Sequence, residues 1–393
     1  MKIFYVNATS GAGSTGNICQ ELAKAYTLGG NECKIFYGNG KSVDENSIKI
    51  ASKFSVKIHA LLSRISGLQG YYSNCATNKL IKTIKKQKPD IVHIHNVHGN
   101  YLNINKLFKF LSVNDIPTVI TLHDCNLYTG KCTHYTDVKC DRWKTTCGNC
   151  PQLKKDIPSL IFDRTAKMLS DKEKAYSSFK RLGVIAVSEW IKNETEQSIL
   201  RTAKIKRIYN WIDSEVFKPQ QKNSDDFTVL LVSAKWAKNM PKYKDLLKLS
   251  EKLNGLAKIK VVGKVEKGLE FPVNVEVVKY ISNAKDMAKL YSDAQVYVHL
   301  SSEDSFGKVI AESLACGTPV IVYNSTACPE LVSEKSGYVV EVRDVDAVYE
   351  KIVLIKQNGK DFYFDNCVKQ SKKFDKQTAI KETFEFYKEI IGN

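Results

Sequence analysis

The run Ser301-Ser-Glu-Asp-Ser-Phe-Gly-Lys-Val-Ile-Ala-Glu-Ser-Leu-Ala-Cys-Gly-Thr-Pro-Val320 sets two carboxylates, Asp304 and Glu312, eight residues apart with Phe306-Gly307 between them. A helix opening near Gly307 would turn the backbone N–H groups of Ser305–Lys308 outward, and a helix N-terminus of this kind suits a diphosphate. Glu312, a turn or more along, can accept from two vicinal hydroxyls; a Glu that merely pairs on a helix face is the plainer reading. A second turn, Gly11-Ala-Gly13-Ser-Thr-Gly16, follows an apolar run and opens a helix over Asn17–Leu28. Its G-x-G-x-x-G spacing allows a tight turn and close backbone approach. A dinucleotide site also needs an acidic residue about 20 positions on. The next run ends Phe36-Tyr37-Gly38-Asn39-Gly40, with Asp44 and Glu45 several residues late, which favours a structural turn or a loop touching a sugar or phosphate.

Five of the eleven cysteines crowd into Cys125-x6-Cys132-x7-Cys140-x6-Cys147-x2-Cys150, around Trp143 and Gly148. Cys132, Cys140, Cys147 and Cys150 could supply four thiolates to a tetrahedral structural zinc. The alternatives are that they stay metal-free and reduced, pair as disulfides on isolation, or hold another metal cluster. A connection this long needs a staple or a core of its own.

The elements that must position these residues are legible as short Val/Ile-rich runs alternating with amphipathic stretches. The runs are Ile3–Val6, Lys34–Tyr37, Ile91–Ile94, Thr118–Leu122 and Gly183–Val187, then Thr228–Val232, Lys260–Val262, Val275–Val278, Val296–His299 and Pro319–Val322. That pattern predicts an α/β protein with two doubly wound parallel-sheet domains. A seam falls near 207–215, where Arg-Ile-Tyr-Asn-Trp-Ile-Asp precedes the polar stretch Gln220–Asp226. Domains of 1–208, carrying the cysteine-rich insertion 125–150, and 209–375 follow, with a final helix over 376–393 packing back on the first.

The Asp304/Glu312 segment resembles the acid-x7-acid motif of family-4 retaining glycosyltransferases of the GT-B fold, with Asp304 where Glu is commoner. Further matches run along nearly the whole chain: Pro89-Asp-Ile-Val-His-Ile-His-Asn96, Thr121-Leu-His-Asp124, Val187-Ser-Glu-Trp190, Tyr209-Asn-Trp-Ile-Asp213 with Phe217-Lys-Pro219, Val262-Gly263 and Cys328-Pro-Glu-Leu-Val332. The resemblance implies two Rossmann-like domains facing across a cleft, a nucleotide-diphosphate sugar as donor, and no cofactor for catalysis. Carried onto this sequence, it implies that Glu312 binds the ribose hydroxyls, and that Asp304 with the Ser305, Phe306 and Gly307 backbone holds sugar and diphosphate. It further implies that Gly13 and Asn210 approach the donor and that His123 contacts the transferred sugar, against the plainer reading of His123 as a core or cap histidine. The family's Arg and Lys for the diphosphate are replaced by Lys235-Trp-Ala-Lys-Asn-Met-Pro-Lys242, so Lys235, Lys238 or Lys242 must take that role. A front-face mechanism is implied, the donor's own phosphate oxygen taking the acceptor proton, and the cysteine segment after His123 would shape the acceptor mouth.

Charge sharpens the expected partners. Of 393 residues, 1–210 hold 32 Lys/Arg and 16 Asp/Glu, while 211–393 hold 27 and 26, so the formal +17 resides almost wholly in the first half. Lys53–Leu68 aligns Phe54, Ile58, Leu61, Leu62, Ile65 and Leu68 on one helical stripe beside Lys53, Lys57 and Arg64. Lys79, Lys82, Lys85, Lys86 and Lys88 follow on a second helix. A basic amphipathic helix suits an anionic membrane surface; a core-facing stripe with a solvated basic flank is the alternative. No run approaches a membrane span and the N-terminus lacks a secretory pattern, which predicts a cytoplasmic protein attached peripherally to the inner face of the membrane. The reading is a hexosyltransferase-type enzyme acting on a lipid-linked saccharide in capsule, O-antigen or exopolysaccharide assembly. A nucleotide-sugar epimerase of the same fold is the rival enzyme. A basic nucleic-acid-binding protein is the rival from another class, and no basic residues interleaved with aromatics or known module support it.

Overall fold

Every strand pairs with its neighbours in parallel, so each must be reached by a crossover, and helices supply most of them. The connections from Glu32–Tyr37 to Ser47–Lys49, from Lys258–Val265 to Val275–Val278 and from Val320–Tyr323 to Gly337–Val340 contain no α-helix among their described residues. The computed structural model describes all residues except 43, 222–225, 279, 280, 282 and 393. Most of the polar stretch expected at Gln220–Asp226 therefore lies outside the described residues. The described chain divides into two compact units, Met1–Ile208 with Ile380–Asn393, and Tyr209–Ala379.

The first unit runs β1 (Lys2–Asn7), α1 (Gly13–Leu28), β2 (Glu32–Tyr37), β3 (Ser47–Lys49), α2 (Lys53–Ser66), α3 (Asn74–Gln87), β4 (Ile91–Ile94), α4 (Ile104–Val113), β5 (Thr118–Leu122), α5 (Thr165–Ser177), β6 (Leu182–Ala186), α6 (Glu189–Glu196) and β7 (Lys204–Arg207). Its seven strands lie in the order β3-β2-β1-β4-β5-β6-β7. The central strands are buried along their whole length, which is why they read as unbroken apolar runs. The edge strands β3, Ser-Ile-Lys, and β7, Lys-Ile-Lys-Arg, carry no such run, and their side chains are half-buried or exposed.

The second unit runs β8 (Thr228–Trp236), α7 (Pro241–Lys252), β9 (Lys258–Val265), β10 (Val275–Val278), α8 (Ala284–Asp293), β11 (Val296–His299), α9 (Lys308–Ala315), β12 (Val320–Tyr323), β13 (Gly337–Val340), α10 (Val345–Asn358) and α11 (Asp361–Ser371). Its strand order is β10-β9-β8-β11-β12-β13. Both sheets thus reverse direction once, beside β1 and β4 in one unit and beside β8 and β11 in the other. Ligands of doubly wound folds bind at that switch point, off the carboxyl ends of the strands.

A last helix, α12 (Lys376–Ile391), returns the chain to the first unit. Tyr26 donates to the Ile380 carbonyl at 2.8 Å and stacks near Phe384, while Tyr387 reaches His93 of β4. Gly183 of β6 leaves room for Phe386 and Ile390, which a Cβ there would meet at 2.7–2.8 Å.

Helix α2 does not turn its stripe into the core. Ser52 caps its start and Gly67, at φ +74°, ends it, but the side it buries carries His59 and Ser63. Phe54 (73% exposed), Ile58, Leu61 (58% exposed), Leu62 and Ile65 face outward, so the stripe is not a core face. Leu160, Ile161 and Phe162 extend this apolar surface, tied to α2 by the Leu160 N–H donating to the Arg64 carbonyl at 2.8 Å.

Candidate active site

In the second unit a cavity of about 280 Å³ opens at the switch point, lined among others by Ser233, Trp236, Lys242, His299, Ser301 and Asp304. Lys242 stands in the first turn of α7, which begins at Pro241, a residue suited to a first helical position because it has no N–H to lose. Burial lowers its pKa and the nearby Asp304 carboxylate opposes that shift. The other two candidate lysines are placed differently. Lys235 is exposed and pairs with Glu266 at 3.5 Å, and Lys238 is exposed with its backbone N–H bonded to the same carboxylate at 3.1 Å. Of the three, Lys242 alone lines the cavity.

Asp304 is held at the end of a hydrogen-bonded chain. The Tyr297 hydroxyl and His299 Nδ1 lie 2.8 Å apart, and His299 Nε2 is 2.8 Å from Asp304 Oδ2. Cys328 closes the cluster, its sulfur within 4.8 Å of the donor atoms of His299 and Asp304, and burial holds its thiol protonated. The Asp304 N–H also donates to Thr326 Oγ1 at 3.1 Å, fixing the loop that carries Ser305.

Gly307 caps α9 at φ +87°, where a side chain would be strained and a Cβ would lie 2.8 Å from Ile310. The Gly307 carbonyl accepts from the Ile310 and Ala311 N–H groups, and the N–H groups of the preceding residues Lys308 and Val309 have no earlier turn of the helix to bond to, as at any helix N-terminus. The Phe306 ring is turned inward against Tyr209 and Phe374, so this residue can offer a ligand its backbone and not its ring. Glu312 follows on α9, where burial pushes its pKa up to about 7 against the opposing influence of Lys308 and of the Tyr291 hydroxyl, 3.3 Å from Oε2. Asn210 is buried in the segment that opens this unit, next to Tyr209, which donates to Glu330 at 3.1 Å.

In the first unit, His123 follows the last residue of β5, at the carboxyl end of the sheet. His95 Nδ1 lies 2.9 Å from His123 Nε2 and the two rings stack at 5.2 Å. Burial pushes His123 down to about 4, so it is neutral at pH 7; His95 and His93 are lowered as well, again chiefly by burial. His93 bridges Tyr387 and Thr121 Oγ1 at 2.5 and 2.7 Å. Beside them His98 Nε2 bonds Asp124 Oδ2 at 2.8 Å. Gly13 is the first residue of α1, which begins four residues earlier than the expected Asn17. Its φ of +70° selects glycine, and a Cβ there would meet nothing within 4 Å, so this turn is open to a ligand.

The residues singled out from sequence thus sit at the carboxyl ends of their own sheets, and several partners were missed. His95, the His98–Asp124 pair, Tyr297 and His299 were not among them. A signal existed in the alternation His93-Ile94-His95, which puts both imidazoles on one side of the chain, and in His299 ending a strand five residues before Asp304.

Comparison with known proteins agrees with this architecture. Residues 15–216 match Glycosyltransferase Family 4, and residues 213–377 match Glycosyl transferases group 1. A protein of Escherichia coli strain K12 named as a colanic acid biosynthesis glycosyl transferase, WcaC, is 23% identical over 368 residues, covering 88% of each chain. The O-antigen chain mannosyltransferase B of Escherichia coli is 31% identical over 106 residues, 26% of this chain and 28% of its own. Among solved structures, a glycosyltransferase from Rickettsia africae superposes with a TM-score of 0.69 at 17% identity, covering 100% of this chain and 99% of its own. Anabaena HepE, solved in complex with UDP-glucose, gives a TM-score of 0.64 at 16% identity over 98% and 99% of the two chains. Two parallel-sheet units with a reversal in each, and a family match spanning more than half its length, make this chain a member of glycosyltransferase family 4 with the two-domain GT-B fold.

Proposed function

We propose that the protein transfers a sugar, with retention of configuration, from a nucleoside-diphosphate sugar to a lipid-linked saccharide during assembly of a cell-surface polysaccharide. The observation that carries the donor half of this reading is the cavity where Lys242 faces Asp304 at the switch point of the second unit. Lys242 and the N-terminus of α9 supply positive charge for the departing diphosphate without a metal. Asp304, aimed by His299, and Glu312 supply acceptors for sugar and ribose hydroxyls. In transfer, the bond from the anomeric carbon to the phosphate oxygen breaks. The acceptor oxygen bonds on the same face, and its proton passes to the leaving diphosphate. Neutral His123 serves as a hydrogen-bonding partner of the transferred sugar, not as an acid.

The names of the relatives support polysaccharide assembly, and HepE with UDP-glucose supports the donor class. For the acceptor side, the outward apolar stripe of α2, flanked by Lys53, Lys57 and Arg64, supports docking on an anionic membrane from the cytoplasmic side. No helix among the described residues is long and apolar enough to cross a membrane.

Thermal-shift measurements against a panel of nucleoside diphosphates test the donor reading, since binding to the folded state raises Tm by mass action. One base should stabilise the wild type, and Glu312→Ala should abolish that gain while leaving the ligand-free Tm within about 3 °C, since a carboxyl whose pKa is raised by burial gives the fold little stability at pH 7. Hydroxyl donors favour the ionised carboxylate, so donor affinity should also fall as pH drops below about 7. An unchanged ligand shift in Glu312→Ala would take this residue out of the site.

A further inference from the structure

Between His123 and Arg164 the chain makes one 3-10 turn, Arg142–Lys144, and neither strand nor α-helix. So long an irregular connection needs something besides backbone pairing to hold it. Part of the answer is an aromatic cluster, with Trp143 5.2 Å from Tyr128 and 5.1 Å from Tyr135. Beside this cluster lies a void of about 20 Å³ whose walls include Cys132, Cys140, Cys147 and Cys150.

We propose that these four cysteines bind one structural Zn²⁺, which closes the connection that follows His123. Three observations carry the assignment. The four side chains converge: all of them line the one small void, and the Cys132 and Cys150 thiols are within hydrogen-bonding reach of each other. N–H donors are aimed at them as well, as thiolate ligands require: Gly130 N–H at Cys147, Gln152 N–H at Cys150, and Gln152 Nε2 at 3.9 Å from Cys132 Sγ. Finally, two buried ammonium groups stand beside the thiols. Lys131 (1% exposed) interacts with Cys132 and Cys150, and Lys172 (5% exposed) with Cys147 and Cys132. Each donates to main-chain carbonyls, Lys131 to Lys155 and Ile157 and Lys172 to Asn126 and Thr129. One Zn²⁺ with four thiolates carries a net charge of −2, which these two lysines balance; the four thiol protons leave to solvent.

The Cys147-Gly-Asn-Cys150 turn fits the same role. Cys147, Gly148 and Asn149 are consecutively left-handed, at φ 53°, 93° and 46°. For the two non-glycine residues such a conformation costs about 1–2 kcal/mol each and needs compensation. Arg142 clamps the turn by donating to the Gly148 and Asn149 carbonyls at 2.8 and 2.7 Å, and Asp163 accepts from Cys150 N–H at 2.7 Å. No three of the four sulfurs lie within 4.8 Å of one another, so the ion would draw them inward and tighten the loop.

Metal analysis of the full chain purified without chelator, with a thiol count in denaturant, tests the proposal. About one zinc per chain is expected, with all eleven thiols reactive after chelation in denaturant. Cys147→Ser and Cys150→Ser should lose the metal, and Cys75→Ser, exposed on α3, should keep it. Should the serine variants fail to fold, Co²⁺ exchanged into the wild type gives a second reading: thiolate-to-cobalt charge-transfer bands with tetrahedral d–d bands are expected. Zinc below about 0.2 equivalents together with a cobalt spectrum lacking thiolate bands would overturn the site. So would a Cys132–Cys150 disulfide in the freshly isolated chain.

Discussion

The two units share one strand order over six strands, the first adding β7 at its edge, but solve opposite electrostatic problems. The second is almost neutral and concentrates its charge chemistry in one cavity, with Lys242 against Asp304 and Glu312 on the adjoining helix. The first carries nearly all the excess positive charge on exposed lysines, yet its interior at the sheet end is a set of neutral imidazoles, His93, His95 and His123. A doubly wound sheet therefore does not dictate where charge goes. The loops off its carboxyl ends do, and in the first unit one of those loops has grown into the cysteine-rich connection after β5.

Exchanging charge in the second unit should produce the largest effect. Lys242→Ala is expected to lower kcat/KM by about 30-fold, roughly 2 kcal/mol of lost stabilisation at the diphosphate, whereas Lys235→Ala should stay within about twofold. Equal losses in steady-state kinetics would show that the cavity does not mark the diphosphate. On the first unit, replacing Phe54 and Leu61 by Asp should reduce co-sedimentation with anionic vesicles about tenfold and leave the nucleotide-induced Tm gain unchanged. Binding to neutral vesicles as strong as to anionic ones would instead remove charge from the account.

Acid gives the subtlest contrast. His123 and His59 are held down to about 4 by burial, and His93 and His95 are also lowered. The folded state then binds fewer protons than the unfolded chain between about 6.5 and 4, so their contribution is complete above that window and is lost as pH falls through it. Glu312, raised to about 7, works in the other direction: its contribution is complete below about 4.5 and lost as pH rises through 7. With several histidines in the first unit, Tm should fall by about 5 °C or more from pH 6.5 to 5. Hydrogen exchange should show the opening beginning around β4 and β5; an opening led by α9 would reverse the assignment.

Much of this was legible in the sequence. The ten apolar runs all became strands, most of them because a strand buried on both faces must be apolar throughout, whereas β10, at an edge and half-exposed, was visible through its valines alone. The three strands that escaped notice, β3, β7 and β13, are edge strands or short pieces such as Gly-Tyr-Val-Val, where half-burial leaves no run to see. Lys242 could not be separated from Lys235 and Lys238 because spacing along a chain does not say which ammonium turns into a cavity. Nor could the stripe on α2 be assigned a side. Periodicity shows that a helix has an apolar face, and only packing shows whether that face is covered.

The return of α12 to the first unit has a consequence for how the chain is made. Tyr387, which bonds His93, and Phe386 and Ile390, which fill the space over Gly183, are synthesised only after the whole of the second unit. Until those residues are made, the imidazoles of the first unit and the flank of β6 stay uncovered. The basic unit, begun first, is thus the one whose packing is completed last.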